Sequence, residues 1–203
     1  MHAENKLSRS IRRTVLIAAT SSVLALAATS SMAAIVCGPT NNLAIPANID
    51  GVYLNLVTGA TGIAGGSTAG WDINLYQTGT PAGLFFFWPT TPAASFGGTS
   101  TATVYDVLTS GASIGPASTF IVNSGGGGAA PYVNWQGTTQ TGKYLGIRFF
   151  NESTSTINYA WLQLNTTATT GFPATISQYC YQTDGTAITA GTTPVSLQSY
   201  SVD

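Results

Sequence analysis

The chain has 203 residues, of which only 6% are charged, and a formal net charge of −1. Four of its six basic residues lie between Lys6 and Arg13, so residues 34–203 carry Lys143 and Arg148 against six acidic residues, a net charge of −4. Because so few cations cannot displace counterions from phosphate groups, we expect no nucleic-acid partner and no attachment to anionic membrane surfaces.

The first 33 residues have the pattern of a signal peptide. The basic segment is followed by the apolar run TVLIAATSSVLALAA, which is too short for a stable membrane span. Small residues at Ser31 and Ala33 form a cleavage site, so we expect an exported chain of residues 34–203 without a membrane anchor. That chain would be secreted to the extracellular space, with the periplasm as the alternative. An uncleaved anchor helix and twin-arginine export through RRTVL are further alternatives.

Short alternating segments bounded by Gly, Pro, Thr and Asn recur along residues 34–203, and none has a sustained helical period. They predict strands at about 51–57, 71–76, 83–88, 103–108, 119–123, 131–136, 144–150, 157–164, 174–182 and 195–202. Strands of this number and length predict an all-β, single-domain antiparallel β-sandwich of jelly-roll or lectin-like type.

The pattern within two segments also predicts how side chains are divided between the two faces of a strand. In GVYLNLV (51–57), one face should carry Val52, Leu54 and Leu56 and the other Tyr53, Asn55 and Val57. In WDINLY (71–76), Trp71 and the alternate residues after it should point inward, while Asp72, Asn74 and Tyr76 should face outward.

The chain has two cysteines, Cys37 and Cys180. Because an exported chain meets an oxidising compartment, we expect a disulfide between them, which would tie the first strand to one of the last. Two buried free thiols are the alternative.

The segments YLGIRFFNESTSTINYAWLQL (144–164) and ATISQYCYQTDGTAITAG (174–191) resemble the C-terminal half of secreted bacterial surface proteins of the PEP-CTERM-associated type. The shared pattern includes Tyr144, Gly146, Arg148, Phe149, Tyr159, Trp161, Leu164, Ala174 to Ile176, Tyr181, Thr183, Ile188, Ala190 and Gly191. Ala160 and Gln182 depart from it, and Cys180 stands where a small residue is common. The residues TTPVSLQSYSVD lack the Pro-Glu-Pro sorting tail. The resemblance implies an unanchored extracellular or surface β-sandwich, and it supplies no catalytic residues.

Catalytic machinery is scarce in the exported chain. The only histidine, His2, lies in the leader, which excludes Ser-His-Asp and Cys-His mechanisms and imidazole-ligated metals. A single lysine in a predicted turn gives little support for Schiff-base chemistry. Asp72 and Glu152 are the acid pair that we nominate for glycoside hydrolysis, but their spacing does not require them to meet. We therefore expect no enzymatic activity.

The expected function is that of a non-enzymatic structural or adhesive surface protein, which could associate with other copies through its sheet edges. The first alternative is a carbohydrate-binding, lectin-like module in which Trp88, Tyr132 and Trp135 are exposed platforms for a polysaccharide. Burial of these three rings would favour the structural protein instead. Arg148 is a candidate anchor for a carboxylate or a sugar. Its structural alternatives are an ion pair with Glu152 or stacking on Trp161 or Tyr159.

The second alternative is a Ca²⁺-binding surface protein. Asp50, Asp72 and Asp184 lie in or near predicted loops, where carboxylates and backbone carbonyls could together coordinate Ca²⁺. Aspartates at such positions also serve turns by local hydrogen bonds, which is the structural explanation. We expect no other cofactor.

Overall fold

The computed structural model describes residues 33–39, 41–79, 82–122 and 130–194, and antiparallel strands dominate them. The strands are β1 (Ile35–Cys37), β2 (Leu43–Ile45), β3 (Val52–Leu54), β4 (Thr61–Gly62), β5 (Ile73–Gly79), β6 (Ala82–Phe87), β7 (Gly97–Thr101), β8 (Val104–Tyr105), β9 (Ser113–Ile114), β10 (Phe120–Ile121), β11 (Gln140–Asn151), β12 (Thr156–Thr166), β13 (Ala174–Gln182) and β14 (Ile188–Thr189). Two 3₁₀ turns, Gly65–Ser67 and Ala130–Tyr132, and the one-turn helix α1 (Val133–Gln136) complete these elements.

The strands form two main sheets and one small strand pair. Sheet A has the order β1-β13-β12-β11-β7-β10, with β2 also paired to β13 and β8 to β7. Sheet B has the order β4-β3-β5-β6, and β14 pairs with β9. All strand pairs are antiparallel. The predicted all-β, antiparallel, sandwich-like fold is therefore confirmed.

The main core contains side chains from both sheets. Sheet A contributes Leu145, Ile147 and Phe149 from β11, which alternate with residues on its other face, and sheet B contributes side chains such as Leu54 and Phe86. Val52, Leu54 and Leu56, which the pattern places on one face of a strand, are all buried. Burial of each large apolar side chain stabilises the fold by about 1.5–3 kcal/mol relative to exposure, before conformational entropy is counted.

The other face of sheet A has a second, smaller core. Ile114 of β9 and Ile188 of β14 cluster there with Tyr144, Tyr159 and Trp161. Because both faces of the central strands are covered, β11 and β12 have buried side chains on both faces.

The disulfide lies within sheet A. Cys37 on β1 and Cys180 on β13 are direct register partners with their Cα atoms 4.0 Å apart, and their sulfurs are bonded. The expected disulfide between the first strand and a late one is thus confirmed.

Three sequence predictions about strands and faces are wrong. Residues 131–136 form a 3₁₀ turn and α1 instead of a strand. Pro131 offers no backbone donor to a ladder, and three-residue spacing puts Tyr132 and Trp135 on one side of a helical turn, where both are buried.

Asp72, Asn74 and Tyr76 are buried instead of outward, while Trp71 is partly exposed. The predicted strand at 195–202 lies outside the described residues.

Loss of the disulfide should destabilise the protein without changing its fold. The bond closes a loop with a sequence separation of 143 residues, so the Cys37→Ser/Cys180→Ser double variant should lose about 2–4 kcal/mol of unfolding free energy. Urea unfolding of the oxidised protein, the reduced protein and the double variant measures this difference. Equal stability of all three would contradict it.

Gly146 should tolerate no side chain. It lies opposite Trp161 in sheet A, and a Cβ there would lie 2.5 Å from Thr99 Cγ2 and 3.0 Å from Ile114 Cγ1. Gly146→Ala should therefore destabilise the fold by about 1–3 kcal/mol. Gly66→Ala is the matched control, because nothing lies within 4 Å of its added Cβ, and its effect should stay within about 0.5 kcal/mol. Chemical denaturation of both variants decides whether Gly146 is a packing constraint.

Candidate functional site

The three rings proposed as a sugar platform are core residues. Trp88 is 2% exposed, and Tyr132 and Trp135 are 0% exposed. They pack around Phe86, whose ring centroid lies 5.5 Å from that of Tyr132 and 6.3 Å from that of Trp135. The indole N–H of Trp88 donates to the Tyr105 hydroxyl at 2.8 Å. The predicted exposed platform is therefore not formed, because these rings fill the interior where sheet B meets α1.

One of these rings nevertheless reaches a cavity that also contains Arg148. We name this cavity the Arg148 pocket; its volume is about 340 Å³, and it is lined by Trp88, Pro89, Thr90, Ala93, Ala94, Phe96, Phe120, Val122 and Arg148. The walls come from the segment after β6, from β10 and its following residue, and from β11. The structure thus brings together Trp88 and Arg148, but it places Tyr132 and Trp135 elsewhere.

Arg148 has different partners from those predicted. It lies on the face of sheet A opposite the main core, between Tyr159 of β12 and Gly97 of β7 in register. Its Nη2 donates to the Phe96 carbonyl at 3.1 Å, and its Cζ lies 5.0 Å from the centroid of the Phe120 ring. The expected partners Glu152, Trp161 and Tyr159 are replaced by this carbonyl and this ring, because β10 brings Phe120 over the guanidinium.

The guanidinium of Arg148 has unused hydrogen-bonding capacity. Its Nε is buried and has no hydrogen-bond partner among the described residues, and a buried donor without a partner costs about 1–3 kcal/mol. Arginine has five N–H donors in a planar fork that matches a carboxylate. The pocket therefore combines apolar walls with a cation suited to an anionic group.

Sequence reasoning missed the other walls of this pocket. Phe96, Phe120 and Val122 belong to separate segments, and β7 and β10 pair only after folding. The signal that was present in the sequence is the position of Arg148 itself, a single cation in the apolar segment YLGIRFF.

The proposed metal ligands are not brought together. The Asp50 carbonyl accepts a hydrogen bond from Asn74 Nδ2 at 2.8 Å. The Asp184 carboxylate accepts hydrogen bonds from the Thr186 hydroxyl at 2.7 Å and its N–H at 3.0 Å, which lower the Asp184 pKa. In the described part of the chain, no three His, Cys, Asp or Glu side chains form a group that could hold a metal ion. Within the described residues, Asp50, Asp72 and Asp184 are therefore not brought together as one group.

Asp72 is a fully buried carboxylate. Its N–H donates to the Leu54 carbonyl at 2.8 Å, and its Oδ2 accepts a hydrogen bond from the Leu56 N–H at 2.7 Å. Its Oδ1 is buried without a hydrogen-bond partner among the described residues. Burial raises the Asp72 pKa well above its usual value; the Leu56 hydrogen bond opposes this shift, and the negative charge of Glu152 adds to it. Asp72 is thus held inside the fold by two backbone hydrogen bonds, whereas Glu152 is exposed.

No protein-family model matches the chain, and no curated protein or solved structure is significantly similar to it. Within the ranges that the structure describes, no helix is long and apolar enough to cross a membrane.

The raised Asp72 pKa should make stability depend on pH. The folded state binds the Asp72 proton more tightly than the unfolded state, so the unfolding free energy should fall as pH rises from about 4 through the folded-state pKa. Asp72→Asn should remove this decline, and Asp50→Asn, at an exposed turn position, should keep it. Urea unfolding from acidic to neutral pH in the presence of a chelator measures the profiles. Identical profiles for wild type and Asp72→Asn would contradict this account.

Proposed function

We propose that the protein is an exported, non-enzymatic extracellular or cell-surface module that attaches to its partner through the Arg148 pocket. The observation that carries this proposal is the guanidinium of Arg148, which lines an apolar cavity and contacts a carbonyl and a ring instead of a carboxylate. The disulfide suits an oxidising compartment, and the resemblance to PEP-CTERM-associated surface proteins supports the same setting.

The chemistry of the pocket defines the class of ligand. Phe96, Phe120 and Val122 offer apolar contact, and Val122 is 54% exposed at the rim. We therefore expect a ligand that has an apolar body and a carboxylate. The apolar body would pack against these side chains, and the carboxylate would lie beside Arg148. A cavity of about 340 Å³ falls within the range of small-molecule sites. The same pocket could hold an apolar side chain and a carboxylate of a larger partner.

The lining of the pocket also supports a binding role over catalysis. Among the described residues that line it, Arg148 is the one charged residue and Thr90 the one hydroxyl residue, and none has a carboxylate, thiol or imidazole. General acid–base catalysis needs a group that can take up and release a proton near neutral pH, which neither of these side chains provides.

The carbohydrate alternative retains support from a different surface. On sheet B, the partly exposed rings of Trp71 and Phe87 stack with centroids 5.5 Å apart, and Tyr53 packs edge-on against Trp71 at 4.9 Å. An adjoining depression of about 210 Å³ is lined by Tyr53, Phe87, Asn74, Tyr76 and Ile49. Partly exposed rings beside an amide are the groups that sugars contact, so this surface is the second candidate.

Binding of matched ligand pairs tests the proposal. Octanoate should bind at least about tenfold more tightly than octanamide, and phenylacetate more tightly than phenylacetamide, because only the acids interact with the charge on Arg148. Arg148→Gln should abolish this preference and Arg148→Lys should retain part of it. Isothermal titration calorimetry measures the affinities.

Lys143→Gln is the matched control, since it removes the other basic side chain of residues 34–203 without changing a residue that lines the pocket. Equal affinity for acid and amide in the wild-type protein would refute the proposal. Glycan-array binding that is lost in Trp71→Ala and kept in Arg148→Gln would support the carbohydrate alternative instead.

A further inference from the structure

One edge of sheet A lies beside the Arg148 pocket. β10 is the last strand at this end of the sheet, and within the described residues it pairs with β7 alone. Val122, which directly follows β10, is 54% exposed. Residues 119–122 contain no charged side chain and no proline, which are features that commonly protect sheet edges from pairing. The sequence of this edge therefore does not oppose the addition of a further strand.

The backbone of Phe120 points away from β7. The Thr119 carbonyl accepts a hydrogen bond from the Ser100 N–H of β7 at 3.0 Å, so the backbone of Thr119 faces β7. The Thr99 carbonyl, opposite Phe120 in register, accepts instead from the Asp106 N–H at 2.9 Å. Because backbone groups alternate in direction along an antiparallel strand, the N–H and the carbonyl of Phe120 point toward the edge of the sheet.

The charge of Arg148 lies close to this edge. Two strand spacings, or about 10 Å, separate β11 from β10, yet Arg148 Cζ lies 5.0 Å from the centroid of the Phe120 ring. Gly97 of β7 is the register partner of Arg148, and a Cβ there would lie 3.2 Å from Phe120 Cβ. Glycine thus lets β10 pack closely against β7, and the Arg148 side chain reaches across β7 to the edge strand.

The side chains of an added strand would alternate between the two faces of the sheet. A residue opposite Phe120 would place its side chain on the pocket face, which Phe120 and Val122 share, whereas Ile121 packs against the main core. A glutamate at that position would approach the guanidinium of Arg148, which contacts a carbonyl and a ring. An apolar residue two positions away would lie opposite Val122 and cover its exposed side chain.

We propose that the Arg148 pocket and the edge of β10 together bind an extended peptide segment of a protein partner. The segment adds to sheet A as an antiparallel strand, with a glutamate opposite Phe120 and an apolar residue opposite Val122. This inference rests on the proposed binding function of the Arg148 pocket and names the class of partner. Main-chain hydrogen bonds to Phe120 provide affinity, and the two side chains provide selectivity.

Binding of short peptides to the full chain tests this proposal by isothermal titration calorimetry. Acetyl-Val-Thr-Glu-Thr-Val-amide should bind at least about fivefold more tightly than the same peptide with glutamine at its centre, because only the acid interacts with the charge of Arg148. Methylation of the glutamate nitrogen removes a donor that faces β10 and should weaken binding at least about tenfold. Methylation of a threonine nitrogen, which faces away from β10, is the matched control and should change the affinity less than about threefold.

Amide hydrogen exchange gives a second measurement. The peptide should slow exchange of the Phe120 N–H at least about tenfold, whereas octanoate should leave its rate within about twofold. The Ile121 N–H faces β7 and is the internal control, since neither ligand should change its exchange. Protection of the Phe120 N–H that rises with protein concentration in the absence of peptide would assign the edge to a second copy and overturn the proposal.

Arg148→Gln should remove the preference for glutamate over glutamine and keep the sensitivity to methylation, whereas Lys143→Gln should keep both. Equal affinities of the two methylated peptides would overturn the proposal, and so would an unprotected Phe120 N–H in the peptide complex. If octanoate is still preferred over octanamide in that case, the pocket binds acids and only the peptide inference fails. If octanoate is not preferred either, the proposed function fails as well.

Discussion

A row of four residues across sheet A constrains most of the structure. Cys37, Cys180, Trp161 and Gly146 are successive register partners on β1, β13, β12 and β11. The covalent bond fixes the first pair, the indole fills the space beside it, and the absence of a side chain at Gly146 leaves room for Thr99 and Ile114. Because side chains alternate across a strand, this register also determines the position of Arg148, two residues further along the same face.

The same register separates two kinds of interior. On one face of β11, Leu145, Ile147 and Phe149 enter the main core. On the other face, Tyr144 packs into the smaller core under β9 and β14, whereas Arg148 lies at the margin of that core, beside Phe120. The pocket forms because different elements cover this face along β11. Aliphatic side chains of β9 and β14 lie over the part near Tyr144, and the edge strand β10 lies beside Arg148. The charged side chain of Arg148 is tolerated there because it contacts a ring and a carbonyl, whereas packing against aliphatic side chains alone would leave the charge without partners.

Much of the fold could be predicted from residue patterns, because alternation and turn residues act locally. The hairpin 144–164 and the shared face of Val52, Leu54 and Leu56 are of this kind, whereas the disulfide follows from the presence of two cysteines in an exported chain. The sequence pattern predicts a strand for the segment containing Tyr132 and Trp135, since a short apolar run does not distinguish a strand from one helical turn. Asp72 was placed outside because polarity suggested exposure, whereas the backbone of Leu56 binds it inside. The pocket walls could not be predicted, because they meet only through long-range pairing of β7, β10 and β11.

The two ends of sheet A have different surroundings. At the β1 edge, the backbone of Ala34 exchanges hydrogen bonds with Thr183, which secures the polypeptide immediately after Ala33. The Arg148 pocket lies at the β10 edge, five strand spacings away, or about 24 Å. A ligand bound in the pocket would therefore contact sheet A far from the disulfide-bonded edge, and it would leave that edge uncovered.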